Sequence, residues 1–126
     1  MEFQSPLARA RGLGSAHHGA THWWRERISA LLLLPTGLWF AVSLARLPDV
    51  TTEAASDWVA SPVNALLLIV YVVAACYHAA LGIRVIMEDY ITRRPLRMTA
   101  ILFANGTLLT AALFSVYAVL HIALGT

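Results

Sequence analysis

Three stretches of this chain run without Asp, Glu, Lys or Arg: Ile28 to Ala45, Trp58 to Ile83 and Met98 to Thr126. A helix crossing a hydrocarbon core of about 30 Å needs roughly 20 such residues. The pattern therefore predicts three transmembrane helices, over about 26–47, 60–90 and 97–124. The first is the shortest, and the aliphatic stems of Arg27 and Arg46 extend it by snorkelling to the two interfaces. Pro35 lies inside it and predicts a kink. The second and third exceed the minimum length, so they tilt or project from the membrane.

Composition agrees with that fold class, an all-α membrane protein. With 59% hydrophobic and 13% charged residues in 126, the chain lies far outside the range of a soluble domain. It shows no internal repeat. Its one cysteine, Cys76, excludes an intrachain disulfide and reads as a packing residue of the second helix.

Charge supplies an orientation. All nine basic residues are arginines. Arg9, Arg11, Arg25 and Arg27 precede the first helix and Arg93, Arg94 and Arg97 separate the second from the third, whereas the first loop carries Asp49, Glu53 and Asp57 against Arg46 alone. The positive-inside rule then predicts a cytoplasmic N-terminus and second loop, with the first loop and the C-terminus on the periplasmic side. Trp23, Trp24 and Trp58 fall at the expected interfaces. The net charge of +2 follows from this topology and points to no nucleic-acid partner.

Residues 1–25 read as a cytoplasmic N-terminal arm ahead of a membrane anchor over 26–126. The arm lacks the apolar core of a cleaved secretory signal. Its Gly and Pro content favours an extended segment lying along a partner subunit. His17, His18 and His22 cluster loosely within it, without acids or cysteines at a metal-ligand spacing.

The chemistry concentrates in Y-H-A-A-L-G-I-R-V-I-M-E-D-Y, residues 77–90. Ionisable groups are expensive in lipid and need a partner or water. With about 100° of rotation per residue, His78, Gly82 and Asp89 fall near one face of the second helix, His78 and Asp89 some ~16 Å apart along the axis. Gly82, one turn from His78, removes the side chain where a flat, bulky group could lie against the backbone. Two readings of His78 follow: a hydrogen bond to a neighbouring helix, or an axial ligand to haem iron, with the other ring N–H on a carbonyl such as that of Ala74. His121 lies near the far end of the third helix, so a six-coordinate haem requires a second histidine from another subunit.

The run H-A-A-L-G-I-R-V-I-M-E-D-Y resembles the H-x3-G-x6-D-Y signature of the smaller, D-type membrane anchor of succinate dehydrogenase. The segments S-P-L-A-R-A-R-G-L-G-S-A and H-W-W-R-E-R-I-S-A resemble the alphaproteobacterial form of that anchor. The resemblance implies a multi-pass subunit of the bacterial inner membrane in a heterotetramer with a flavoprotein, an iron-sulfur subunit and a C-type cytochrome b anchor. It implies that His78 ligates haem b opposite a histidine of the C-type anchor, that Asp89 and Tyr90 form part of the ubiquinone site, and that Arg27 lies near the haem propionates and the quinone. His22 is the arm histidine expected nearest that region.

Other readings stay open. Arg84 either reaches a propionate, snorkels, or pairs with Glu88 one turn on. Ser29, Ser43, Asn105, Thr107, Thr110 and Ser115 are expected to make interhelical hydrogen bonds, and Asn105-Gly106 to permit close packing. A fumarate reductase anchor, another b-type cytochrome anchor and a non-redox helical assembly subunit share the same general features.

Overall fold

A computed structural model describes residues 16–49 and 51–125, with side chains from residue 20 onward. Residues 1–15 of the expected arm, and the side chains of His17 and His18, lie outside the described residues. The described residues form, in order, the helices α1 (Ala16–Ala45), α2 (Thr52–Ala60), α3 (Pro62–Tyr90) and α4 (Arg94–Leu124). Of these, α1, α3 and α4 are long and apolar enough to cross a membrane. This is a multi-pass membrane protein, as the hydropathy pattern predicts.

Two features differ from the sequence expectation. α1 is already helical at Ala16, the first described residue, so residues 16–25 are helical and not an extended arm. Apolarity marks the part of a helix that meets lipid, whereas the backbone continues wherever no proline or strong cap stops it. The first loop also folds into a helix of its own, α2. Thr51 caps it by accepting from the Ala54 amide at 3.2 Å, and Glu53 sits in its first turn, where the helix dipole favours a carboxylate.

The ends of the long helices have local causes. Pro62 opens α3 in the first turn, where a missing amide is harmless. After α3, only residues 91–93 separate it from α4, so the two must run antiparallel as neighbours. Gly125 closes α4 in the left-handed conformation at φ 68°. Within α1, Pro35 leaves the helix continuous, and Thr36 Oγ1 donates to the Leu32 carbonyl at 2.6 Å.

α3 is the central element. It packs against α1 on one side and α4 on the other, while α1 and α4 make no direct packing contact among the described residues. The spans thus form an open layer rather than a closed bundle. Its buried positions are mostly small: Ser29 and Thr36 on α1, Ala65 and Ala74 on α3, with Leu81 and Val119. Small residues let helices approach closely where lipid removes any hydrophobic drive for association. Large apolar groups such as Leu34, Phe103 and Phe114 project outward.

At the end of the layer remote from the arginine-rich loop, α2 packs against α3 and α4, and its Trp58 ring reaches α1. Trp58 stacks on Trp39 at 5.4 Å between ring centroids, and Phe40 continues the cluster to Tyr71 at 5.2 Å. Asn64 Nδ2 donates to the Trp58 carbonyl at 2.8 Å, tying the end of α2 to the start of α3. Trp58, expected at a membrane interface, is thus an internal clasp between α2 and its neighbours.

Candidate functional site

His78 is half-buried on α3 and meets Ser29 of α1, with 2.9 Å between Nδ1 and the serine Oγ. The sequence reading gave the second ring nitrogen to the Ala74 carbonyl; the structure gives it to a hydroxyl on another helix. Ala74 is itself buried where α3 meets α1, one turn before His78. An interhelical hydrogen bond of this kind contributes on the order of 0.6 kcal/mol in lipid. That is too little to account for folding, so the consequence of the contact is orientation of the imidazole.

The helical rotation of about 100° per residue sorts the neighbouring residues into two sides of the layer. One side carries two grooves. The first, of about 460 Å³, lies between α1 and α3 and includes Arg25, Ile28, Leu32, Val73 and Tyr77. The second, of about 410 Å³, lies between α3 and α4 and includes Arg25, Tyr77, Arg84 and Asn105. His78 and Gly82 turn to the other side of α3, roughly 140–180° from Val73. On α1, Trp23 and Arg27 likewise lie across the Ser29 contact from Arg25, Ile28 and Leu32.

The predicted site residues therefore divide. His78, Gly82 and Asp89 share one side, as the spacing requires. Arg84 does not join them: it lies about 120° round α3 from His78, and its Nε donates to Glu88 at 2.9 Å. An exposed i,i+4 pair of this type contributes roughly 0.3–0.5 kcal/mol, so it sets where Arg84 points more than how stable α3 is. Arg27 holds its guanidinium 5.2 Å from the Trp23 ring centroid, one turn away on the same helix.

His22 also faces α3, since seven residues return nearly to the azimuth of Ser29. Its Nε2 is buried without a hydrogen-bond partner among the described residues. A polar atom held dry and unpaired is costly unless another group meets it. Gly82 shows a related opening: a Cβ built there would meet nothing within 4 Å. The packing of this chain does not require glycine at that position.

Asp89 and Tyr90 end α3, and both are exposed, Tyr90 to 83%. α3 stops immediately after them, with the Ile91 amide donating to the Met87 carbonyl at 3.1 Å. A phenol on the last helical residue is free to turn toward a neighbouring group.

The remaining polar residues depart in part from expectation. Ser29 does bridge two helices, but Thr107 and Thr110 donate to carbonyls one turn back on α4, those of Phe103 and Gly106. His121 packs edge-on against Tyr117 of the same helix at 5.8 Å. Arg25, read in the sequence only as an orienting charge, lines both grooves. Its position four residues before Ser29, on nearly the same azimuth, was the available signal.

Similarity to known proteins identifies the family. Residues 1–114 match the family described as the succinate dehydrogenase/fumarate reductase transmembrane subunit, and the chain belongs to that family. It is 32% identical to the succinate dehydrogenase hydrophobic membrane anchor subunit of Rickettsia bellii over 101 residues, 80% of this chain and 81% of the relative. It is 30% identical to the subunit of the same name from Paracoccus denitrificans over 116 residues, 92% of this chain and 81% of the relative.

Proposed function

We propose that this chain is the D-type membrane anchor of a succinate:ubiquinone oxidoreductase in the bacterial cytoplasmic membrane. Its N-terminus and arginine-rich loop face the cytoplasm and its C-terminus the periplasm, as the distribution of arginines indicates. The partners are a flavoprotein, an iron-sulfur subunit and a C-type cytochrome b anchor, the last packed against the side of the layer that carries His78. The relatives named above favour succinate dehydrogenase over a fumarate reductase anchor.

The observation that carries the reading is the orientation of His78. Its Nδ1 is engaged by Ser29, and its Nε2 makes no hydrogen bond among the described residues. The surroundings fit haem b. Gly82 leaves open space one turn along α3, and the orphaned His22 Nε2 stands at the same end of α1 as Arg27, where acidic propionates would find partners. His78 would hold the iron from one side, with a histidine of the C-type anchor on the other. When bound, haem b supplies a one-electron redox centre near the quinone.

At the cytoplasmic end of α3, Tyr90 orients ubiquinone by donating its phenolic proton to a quinone carbonyl, and Asp89 holds that hydroxyl or passes protons from water. This chain carries out no succinate chemistry itself. Its contribution is positional: it keeps acceptor and proton source within reach of the iron-sulfur subunit.

Purification of the tagged chain from detergent-solubilised membranes tests the proposal. The expected result is four co-purifying subunits with a b-type absorption band and succinate-driven ubiquinone reduction. A colourless chain without flavoprotein and iron-sulfur partners would refute it.

A further inference from the structure

The contact between Ser29 and His78 determines more than proximity. Ser29 is 3% exposed, and its hydroxyl donates to the Glu26 carbonyl at 2.9 Å. A serine has one hydroxyl proton and two lone pairs. With that proton directed to Glu26, the oxygen can meet His78 Nδ1, also at 2.9 Å, only as an acceptor. Nδ1 therefore carries the hydrogen, and the neutral ring keeps its lone pair on Nε2.

We propose that Ser29 is the positioning residue for His78: the chain Glu26 carbonyl, Ser29 hydroxyl, His78 Nδ1–H fixes the tautomer and rotation of the imidazole and presents Nε2 for coordination. The inference rests on the reading of His78 as the haem ligand. An acceptor on the remote nitrogen also makes the imidazole a stronger donor to a metal, which favours the ferric state. Because the acceptor belongs to α1 and the ligand to α3, the orientation of the ligand is tied to the register of the two helices.

Burial of a hydroxyl alone does not create this role. Thr36 lies two turns further along the same face of α1 and is also buried, at 8% exposure. Its hydroxyl bonds only to carbonyls of its own helix, those of Leu32 and Leu33. Thr36 therefore serves as an internal control: the same helix and face, but no contact with the imidazole.

The test uses the assembled complex containing Ser29→Ala, Ser29→Thr or Thr36→Val, with histidine labelled by 15N. Pulsed EPR of the ferric haem reads the couplings of the remote imidazole nitrogens, and a redox titration reads the midpoint potential. Ser29→Ala is expected to keep a low-spin haem, to change the remote-nitrogen coupling of one axial histidine, and to shift the potential upward. Ser29→Thr restores both readings, and Thr36→Val alters neither. Unchanged coupling and potential in Ser29→Ala would overturn the proposal.

If Ser29→Ala does not assemble, the wild-type complex still decides. The 15N coupling of the remote nitrogen of the His78 ring must match an imidazole N–H hydrogen-bonded to a neutral acceptor, and the coupling of an unbonded N–H or of an imidazolate would overturn the proposal. Failure of the underlying reading is distinct. A His78→Leu complex that retains the wild-type low-spin signal removes His78 as ligand, whereas loss of that signal together with a silent Ser29→Ala removes only the role of Ser29.

Discussion

Trp58 stacks on Trp39 with the ring planes 28° apart, and this contact joins the loop helix α2 to the C-terminal half of α1. An aromatic pair of this kind contributes about 0.5–1.5 kcal/mol beyond the area it buries. Trp58→Ala should therefore lower the thermal stability of the purified complex by an amount of that order. It should also speed proteolysis between residues 46 and 61, while the haem spectrum stays unchanged. Limited proteolysis with parallel absorption spectra checks this, and an altered haem would show that the clasp and the His78 region are coupled.

Topology is open to direct measurement. Arginines cluster before α1 and between α3 and α4, whereas the first loop holds three of the seven acidic residues, Asp49, Glu53 and Asp57. A periplasmically active reporter joined after Thr126 is expected to be active, and one joined at Arg94 inactive. The reverse pattern would place Asp89 and Tyr90, the proposed quinone residues, on the wrong side of the membrane.

Gly82 offers a substitution that separates folding from cofactor binding. Since nothing lies within 4 Å of a Cβ at this position, Gly82→Leu should leave membrane insertion and helix content intact. It should nevertheless lower haem occupancy severalfold, because the isobutyl group fills the space beside His78. Haem-to-protein ratio and circular dichroism on the same sample read the two effects. Full haem occupancy would mean that no flat group lies against this turn.

Tyr90→Phe keeps the exposed ring and deletes the hydroxyl. Succinate-driven ubiquinone reduction should fall about tenfold or more, as expected when a charge-positioning hydrogen bond worth at least ~1.4 kcal/mol in the transition state is lost. Haem content and succinate-driven dye reduction should remain near wild type. Equal loss of dye reduction would indicate defective assembly instead.

The spans, and the face of α3 shared by His78, Gly82 and Asp89, were legible in the sequence for different reasons. Apolar length identifies α1, α3 and α4, because the bilayer sets a minimum that few soluble helices meet. Periodicity places His78, Gly82 and Asp89 together, and the same arithmetic separates Arg84 from them. The helix over Thr52–Ala60 was less legible: its Thr51 cap and Glu53 are present, but nine residues of mixed polarity give a weak periodic signal. The helical backbone of residues 16–25 was hidden because hydropathy is silent beyond the lipid. The pairing of Ser29 with His78 was not legible either, since it depends on the relative rotation and register of two helices whose residues lie 49 apart.

The central claim is that His78 ligates haem iron in the assembled complex, and the low-spin spectrum of a His78→Leu complex tests it most directly. The account predicts haem that is lost or converted to high spin, with succinate-driven dye reduction by the flavoprotein and iron-sulfur subunits preserved. An unchanged low-spin spectrum at full haem occupancy would contradict it and leave the contact between Ser29 and His78 as helix packing alone.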